Sequence, residues 1–256
     1  MEFKTLPLFK SQYSLGRSIL TLEEPSDSIG PDSIFSILKE NDLSEFYLVD
    51  DTMSGFLQAY TNSKNQDIKL RYGIRLTICE NMEEKNTESL QKECKYVIFV
   101  KDTEGYKRLI KIYTEASTKG FYYQPRADFE TLKKFWDEKH LIMCVPFYDS
   151  FLYRNTMEDT LCIPDFTFCD PKFFLENNNL PFDNILKNKV QEYTSDNSYE
   201  VVKTKSIYYN KRKDFKSYLT FRCINNRSSL NKPNLEHMCS NEFSFESWKE
   251  VENGTI

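Results

Sequence analysis

The chain has 256 residues, 39% of them apolar, and a net charge of -5, enough to bury a full α/β core in one large domain or two small ones. The acidic balance excludes a general nucleic-acid-coating protein, and 7 glycines without a Walker-type or dinucleotide-binding motif exclude the usual phosphate-cradling loops. Cys79, Cys94, Cys144, Cys162, Cys169, Cys223 and Cys239 form no CxxC pair, MEFKTLPLFKSQ lacks a secretion-signal layout, and no apolar run reaches the about 18 residues of a membrane span, so a soluble cytoplasmic chain with reduced thiols is expected.

In chain order, residues 5–9 (TLPLF) read as a short strand. Pro31 suits the first turn of a helix over 33–41 that presents Ile34, Ile37 and Leu38 inward. Residues 46–49 (FYLV) read as the second strand, ending at Asp50 and Asp51. A helix over 53–63 follows, with Phe56, Leu57 and Tyr60 on one side. Residues 69–79 (KLRYGIRLTIC) alternate as a strand, and 80–95 read as a charged, exposed insert without an apolar period.

The stretch from 96 to 145 is the most regular. An apolar run, YVIFV, precedes a helix capped by Asp102 or Thr103, with Tyr106, Leu109, Ile110, Tyr113 and Ala116 on its buried face. Gly120 is placed to end that helix in the left-handed conformation. The aromatic connector Phe121, Tyr122 and Tyr123 leads to a second helix over 129–136, capped by Asp128, and LIMCV at 141–145 reads as the next strand. This is a β-α-α-β unit of the kind that builds a parallel sheet. Residues 146–180 read as irregular; 182–193 and 214–224 read as helices and 200–204 as a strand. Without repeats or a linker, the alternation favours one closed or nearly closed α/β barrel over 1–256.

The segment GYKRLIKIYTEASTKGFYYQPRADFETL, following a strand, resembles the PHP (polymerase and histidinol phosphatase) domain at the start of bacterial DNA polymerase III alpha subunits. The resemblance extends more weakly over most of the chain. It implies a distorted (β/α)7 barrel related to the TIM barrel. Residues 226–256, with EFSFESWKEV, are similar to the family's strand-then-helix exit toward a polymerase domain, whose catalytic aspartates the chain lacks.

PHP enzymes hold metals on histidines and carboxylates at the carboxyl ends of their strands. By resemblance, the first-motif histidine positions fall on Leu6, Leu8 and Lys10, while the motif's tyrosine and serine persist as Tyr13 and Ser14. Asp50 matches the family aspartate, and Asp51 stands at a histidine position, which makes it the best residual metal candidate. The alternative role for either is capping the next helix. The family glutamate falls on Arg75, and the late Asp-x-His pair on Ser206 and Tyr208. His140 and His237 read as ordinary surface histidines. No metal is expected to bind. In its place Lys10 and Arg75 are expected to set fixed positive charge opposite Asp50 and Asp51, the alternative being solvated side chains at a barrel rim.

Residues 203–222 carry seven basic side chains against one acid, Asp214. Lys203, Lys205, Lys211, Arg212, Lys213, Lys216, Tyr208 and Tyr209 are candidate single-stranded DNA contacts. The competing reading is an amphipathic helix with Phe215, Tyr218 and Leu219 in the core. Together these features point to a non-catalytic scaffold or accessory subunit of a DNA replication complex, with no cofactor, docking a replicative polymerase or a proofreading exonuclease. The alternative is a residual Mg-, Mn- or Zn-dependent 3′–5′ exonuclease or phosphoesterase.

Overall fold

A computed structural model describes residues 3–24, 30–158, 160–231 and 238–254. Its strands are β1 (Leu6–Phe9), β2 (Glu45–Asp50), β3 (Lys69–Cys79), β4 (Cys94–Val100), β5 (Arg126–Asp128), β6 (Leu141–Val145), β7 (Lys172–Leu175) and β8 (Glu200–Ile207). The helices are α1 (Ile34–Glu40), α2 (Phe56–Asn65), α3 (Thr87–Gln91), α4 (Thr103–Thr118), α5 (Phe129–Phe135), α6 (Phe151–Met157), α7 (Asp183–Asn197), α8 (Phe215–Asn225) and α9 (Phe245–Glu252). The fold class is α/β, as expected, and all seven cysteines are free thiols. The chain forms two compact units.

The first unit takes the described residues of Met1–Tyr72, Glu176–Asp183 and Lys203–Ile256. Its central strand, β1, pairs in parallel with β2 (Leu8↔Tyr47, Phe9↔Leu48) and with β8 (Leu6↔Thr204 to Phe9↔Ile207). Parallel strands buried on both faces need apolar residues at consecutive positions, and Leu8, Phe9, Phe46, Leu48 and Val49 are all buried. Phe9 meets Phe46 edge-on at 6.2 Å and stacks on Phe245 of α9 at 6.0 Å. The carboxyl-terminal segment is therefore part of this core. Trp248 donates its indole N–H to the Thr5 carbonyl (2.8 Å), and Glu252 accepts from the amides of Lys4 and Thr5. Of the expected exit strand, the bridge Tyr209↔Ser244 remains in front of α9.

Local signals in this unit differ in detail. Ser33 rather than a proline turn starts α1, accepting from the Phe35 amide, so Pro31 lies outside the helix. In α2 the buried face is Ala59, Asn62 and Ser63, while Leu57 is 72% exposed and Tyr60 is also exposed. Of the expected grouping, Leu57 and Tyr60 are thus turned toward solvent, while half-buried Phe56 meets Tyr72 edge-on at 4.9 Å.

The second unit comprises Gly73–Leu175 and Asn184–Val202. Within it β4 pairs antiparallel with both β3 and β6, β5 pairs in parallel with β3, and β6 pairs in parallel with β7. The expected all-parallel β-α-α-β unit is corrected here. The connector between its two helices contains a third strand, β5, and the extra crossing leaves β6 running opposite to β4. The α4 face is Gly105, Leu109, Ile112 and Ala116, with Tyr106 and Tyr113 half-buried and Ile110 exposed. Gly120 is not left-handed. It is small because a side chain there would collide with the Arg126 carbonyl. Three further elements were not expected: α6 and β7 lie inside the stretch read as irregular, and α3 inside the charged insert, where Asn86 caps it with a reciprocal bond to Ser89. The core is aromatic, with Tyr96 against Phe129, Phe151 and Phe166.

Candidate functional site

The carboxyl ends of β1 and β2 in the first unit bring together most of the residues singled out from the sequence. Asp50 closes β2 and is fully buried. Its carboxylate accepts from the Ser11 amide (2.8 Å), the Ser11 hydroxyl (2.7 Å) and the Ser14 hydroxyl (2.8 Å). Ser14 in turn accepts from the Asp51 amide at 2.9 Å. Burial raises the Asp50 carboxyl above its ordinary value, opposed by these hydrogen bonds and by the Lys10 ammonium. The α2 N-cap is Gly55, so neither Asp50 nor Asp51 caps that helix.

Alternation along β1 places Leu6, Leu8 and Lys10 on one face of the strand. Leu8 is buried and Leu6 half-buried. Lys10 is only 4% exposed, and its ammonium donates to the Val49 carbonyl (3.0 Å) and to Asp51 (3.0 Å). A buried ammonium is tolerated because it gains both a carboxylate and a backbone acceptor. Tyr13 directs its hydroxyl to Gln58 at 3.1 Å.

A second clasped acid, missed from the sequence, lies in the same unit. Glu176 follows β7 and is buried; it accepts from the amide (3.0 Å) and hydroxyl (2.8 Å) of Ser206 and from the Asn178 side chain (2.9 Å). Burial raises its carboxyl too. The signal was there: FFLE ends an apolar strand in an acid just as FYLVD does. Tyr208 is a core residue, stacked on Phe243 at 5.0 Å and on Tyr218 at 5.7 Å. Arg75, in the second unit, is 7% exposed and donates to Asp149 at 2.8 Å. His140 is half-buried rather than a plain surface residue, with Nδ1 at 2.7 Å from Asp102. His237 lies outside the described residues.

The basic segment divides sharply. Lys205 is buried, donates to the Asn177 carbonyl (2.8 Å) and lies 3.5 Å from Glu242; burial lowers its ammonium below the usual lysine range. Arg212 forms a two-pronged pair with Glu250 (2.7 and 2.6 Å). Tyr208 and Tyr209 are 5% and 0% exposed, which corrects their expected role as stacking platforms for bases. In α8 the buried residues are Tyr218, Arg222 and Cys223, with Phe215 and Leu219 only half-buried. Lys203, Lys211, Lys213 and Lys216 remain exposed.

A model of the PHP domain family matches residues 10–154, more than half of the chain. The chain belongs to the PHP family. The DNA polymerase III subunit alpha of Aquifex aeolicus is 25% identical to it over 153 residues, covering 57% of this chain and 13% of that protein. The subunit alpha of Borreliella burgdorferi is 23% identical over 230 residues, covering 85% of this chain and 20% of that protein. This PHP chain thus spans a fifth or less of the curated relatives it matches. Membership carries the distorted TIM-barrel fold class of PHP domains. The metals of PHP enzymes do not fit the side chains present. Leu6 and Leu8 donate nothing, Lys10 supplies a cation, Asp50 is held by three donors, and among the described residues no three His, Cys, Asp or Glu are grouped to hold a metal ion. Nor, among the described residues, is any helix long and apolar enough to cross a membrane.

Proposed function

We propose that the chain acts as one metal-free PHP-like domain, a scaffold or accessory subunit of a DNA replication complex that docks a replicative polymerase or a proofreading exonuclease. The observation that carries this reading is the buried Lys10 ammonium on Asp51 and the Val49 carbonyl, at a position that by resemblance corresponds to a metal-binding histidine of the family's enzymes. A fixed cation there supplies the positive charge that a divalent ion would otherwise supply, and it repels such an ion. Similarity to DNA polymerase III alpha subunits supports the replication setting.

The test is elemental mass spectrometry of protein purified without chelators, followed by pull-down against purified polymerase and exonuclease subunits. The expected outcome is far less than one zinc, manganese or iron per chain and capture of one of those subunits. About one bound metal per chain overturns the reading in favour of a phosphoesterase. Failure to capture either subunit overturns the docking role.

A further inference from the structure

A cavity of about 600 Å³ lies in the first unit, between the segment after β1 and the start of α8. That is the size range of small-molecule sites. Its wall is built by a specific local device. Arg212 turns inward, paired to Glu250 and with its amide on Glu246 (2.9 Å), so the neighbouring Lys211 and Lys213 are left to line the cavity. Lys213, Ser217 and Phe221 recur at four-residue steps, forming one stripe that continues from the 3-10 turn Arg212–Asp214 into α8. Both lysines are exposed, and neither has an acidic side chain as ion-pair partner among the described residues. Phe221 is half-buried, with part of its ring on the cavity.

We propose that this cavity binds a nucleotide, free or as the terminus of a single strand. Lys211 and Lys213 meet the phosphate, and Phe221 offers a face to the base. The lining also carries Asp32 and Asp214. Asp214 is occupied by the Lys211 amide at 3.1 Å, whereas exposed Asp32 is an acceptor suited to sugar hydroxyls or base amino groups. An acceptor of that kind disfavours inorganic phosphate or a bare polyanion and selects a ligand that also brings donors. The proposal is independent of whether a polymerase or exonuclease docks on the chain.

Isothermal titration calorimetry on the full chain tests it, with AMP, adenosine, inorganic phosphate and a short 5′-phosphorylated oligodeoxyadenylate as probes. AMP or the oligonucleotide is expected to bind with Kd below about 1 mM, and adenosine and phosphate at least about tenfold more weakly. Lys213→Ala should weaken binding at least about tenfold while leaving Tm unchanged, since Lys213 is exposed and the Arg212–Glu250 pair stays. If the source is a strand end, the oligonucleotide binds more tightly than AMP. Its log K then falls with log salt at a slope of about -1.4, reduced by about 0.7 in Lys213→Ala. Equal binding of AMP and oligonucleotide identifies the free nucleotide. Absence of binding by both, phosphate as tight as AMP, or full affinity in both Lys211→Ala and Lys213→Ala overturns the proposal.

Discussion

Ser14→Ala isolates the clasp around Asp50. Ser14 is fully buried, and its hydroxyl does two things at once: it donates to Asp50 at 2.8 Å and accepts from the Asp51 amide at 2.9 Å. Losing a hydrogen bond to a buried carboxylate costs about 1.5–3 kcal/mol, and taking the acceptor from a backbone amide adds about 1 kcal/mol or more. Asp51 is only half-buried, so water can partly replace the lost acceptor. A total of about 3 kcal/mol follows, equivalent to a fall of about 6–12 °C in Tm for a chain of this size. The loss has a pH signature. The folded-state Asp50 carboxyl is raised above 3.8 by burial, so its titration favours the folded protein below 3.8, and that contribution is lost as pH rises through the raised value. Removing a donor disfavours the ionised form further. The penalty of Ser14→Ala should therefore be greatest at neutral pH and shrink as pH falls toward 3.8. Urea unfolding of both proteins across this range reads it directly. A penalty under about 0.5 kcal/mol, or one independent of pH, refutes the reasoning.

Arg126→Lys probes a charge buried in the second unit. The guanidinium is fully buried and reaches the Gly120 carbonyl (3.2 Å), the Ser89 hydroxyl (3.3 Å) and the Glu84 carbonyl (2.9 Å). A lysine cannot reproduce that planar fork, so a loss of about 3 kcal/mol is expected in chemical denaturation, and a loss under about 1 kcal/mol counts against the buried geometry. Lys133→Ala tests a half-buried pair by pH alone: the Lys133 ammonium at 2.7 Å, followed by hydrogen bonds from Thr167, lowers the Asp165 carboxyl from 3.8 to about 2. That contribution is present above 3.8 and lost as pH falls from 3.8 toward 2, so the variant should flatten this part of the stability curve; an unchanged acid limb refutes the pairing.

What could be read in advance was set by how strongly a residue pattern constrains the backbone. KLRYGIRLTIC and LIMCV are β3 and β6 to the residue, because a long alternating run and a short apolar run flanked by polar loops admit few other conformations. In contrast, β7 and α6 are short and set among Phe, Pro and Asn, where tertiary packing rather than local propensity decides. Gly120 was legible as a required glycine but not as a close-approach one, since a left-handed turn and a crowded backbone demand the same residue. Asp50 was located correctly by its place after FYLV, yet its serine clasp depends on Ser11 and Ser14, 39 and 36 residues away. Lys205 was read as a candidate DNA contact and Arg126 carried no reading of its own; the burial of both rests on partners a sequence window does not contain.

The buried Lys10 has a consequence for how the chain can change. A bound metal exchanges with its surroundings, can be stripped by a chelator and can be regained; an ammonium on a lysine side chain is covalently part of the chain and cannot be stripped. Replacing Lys10 by histidine alone removes the cation that meets Asp51 and the Val49 carbonyl, while Leu6 and Leu8 still offer no ligand. The step from lysine to histidine at position 10 therefore gives up the buried ammonium beside Asp51 before the neighbouring positions offer ligands. On the proposed reading, such an intermediate loses stability before it regains a metal site, so a return to metal binding needs several substitutions together.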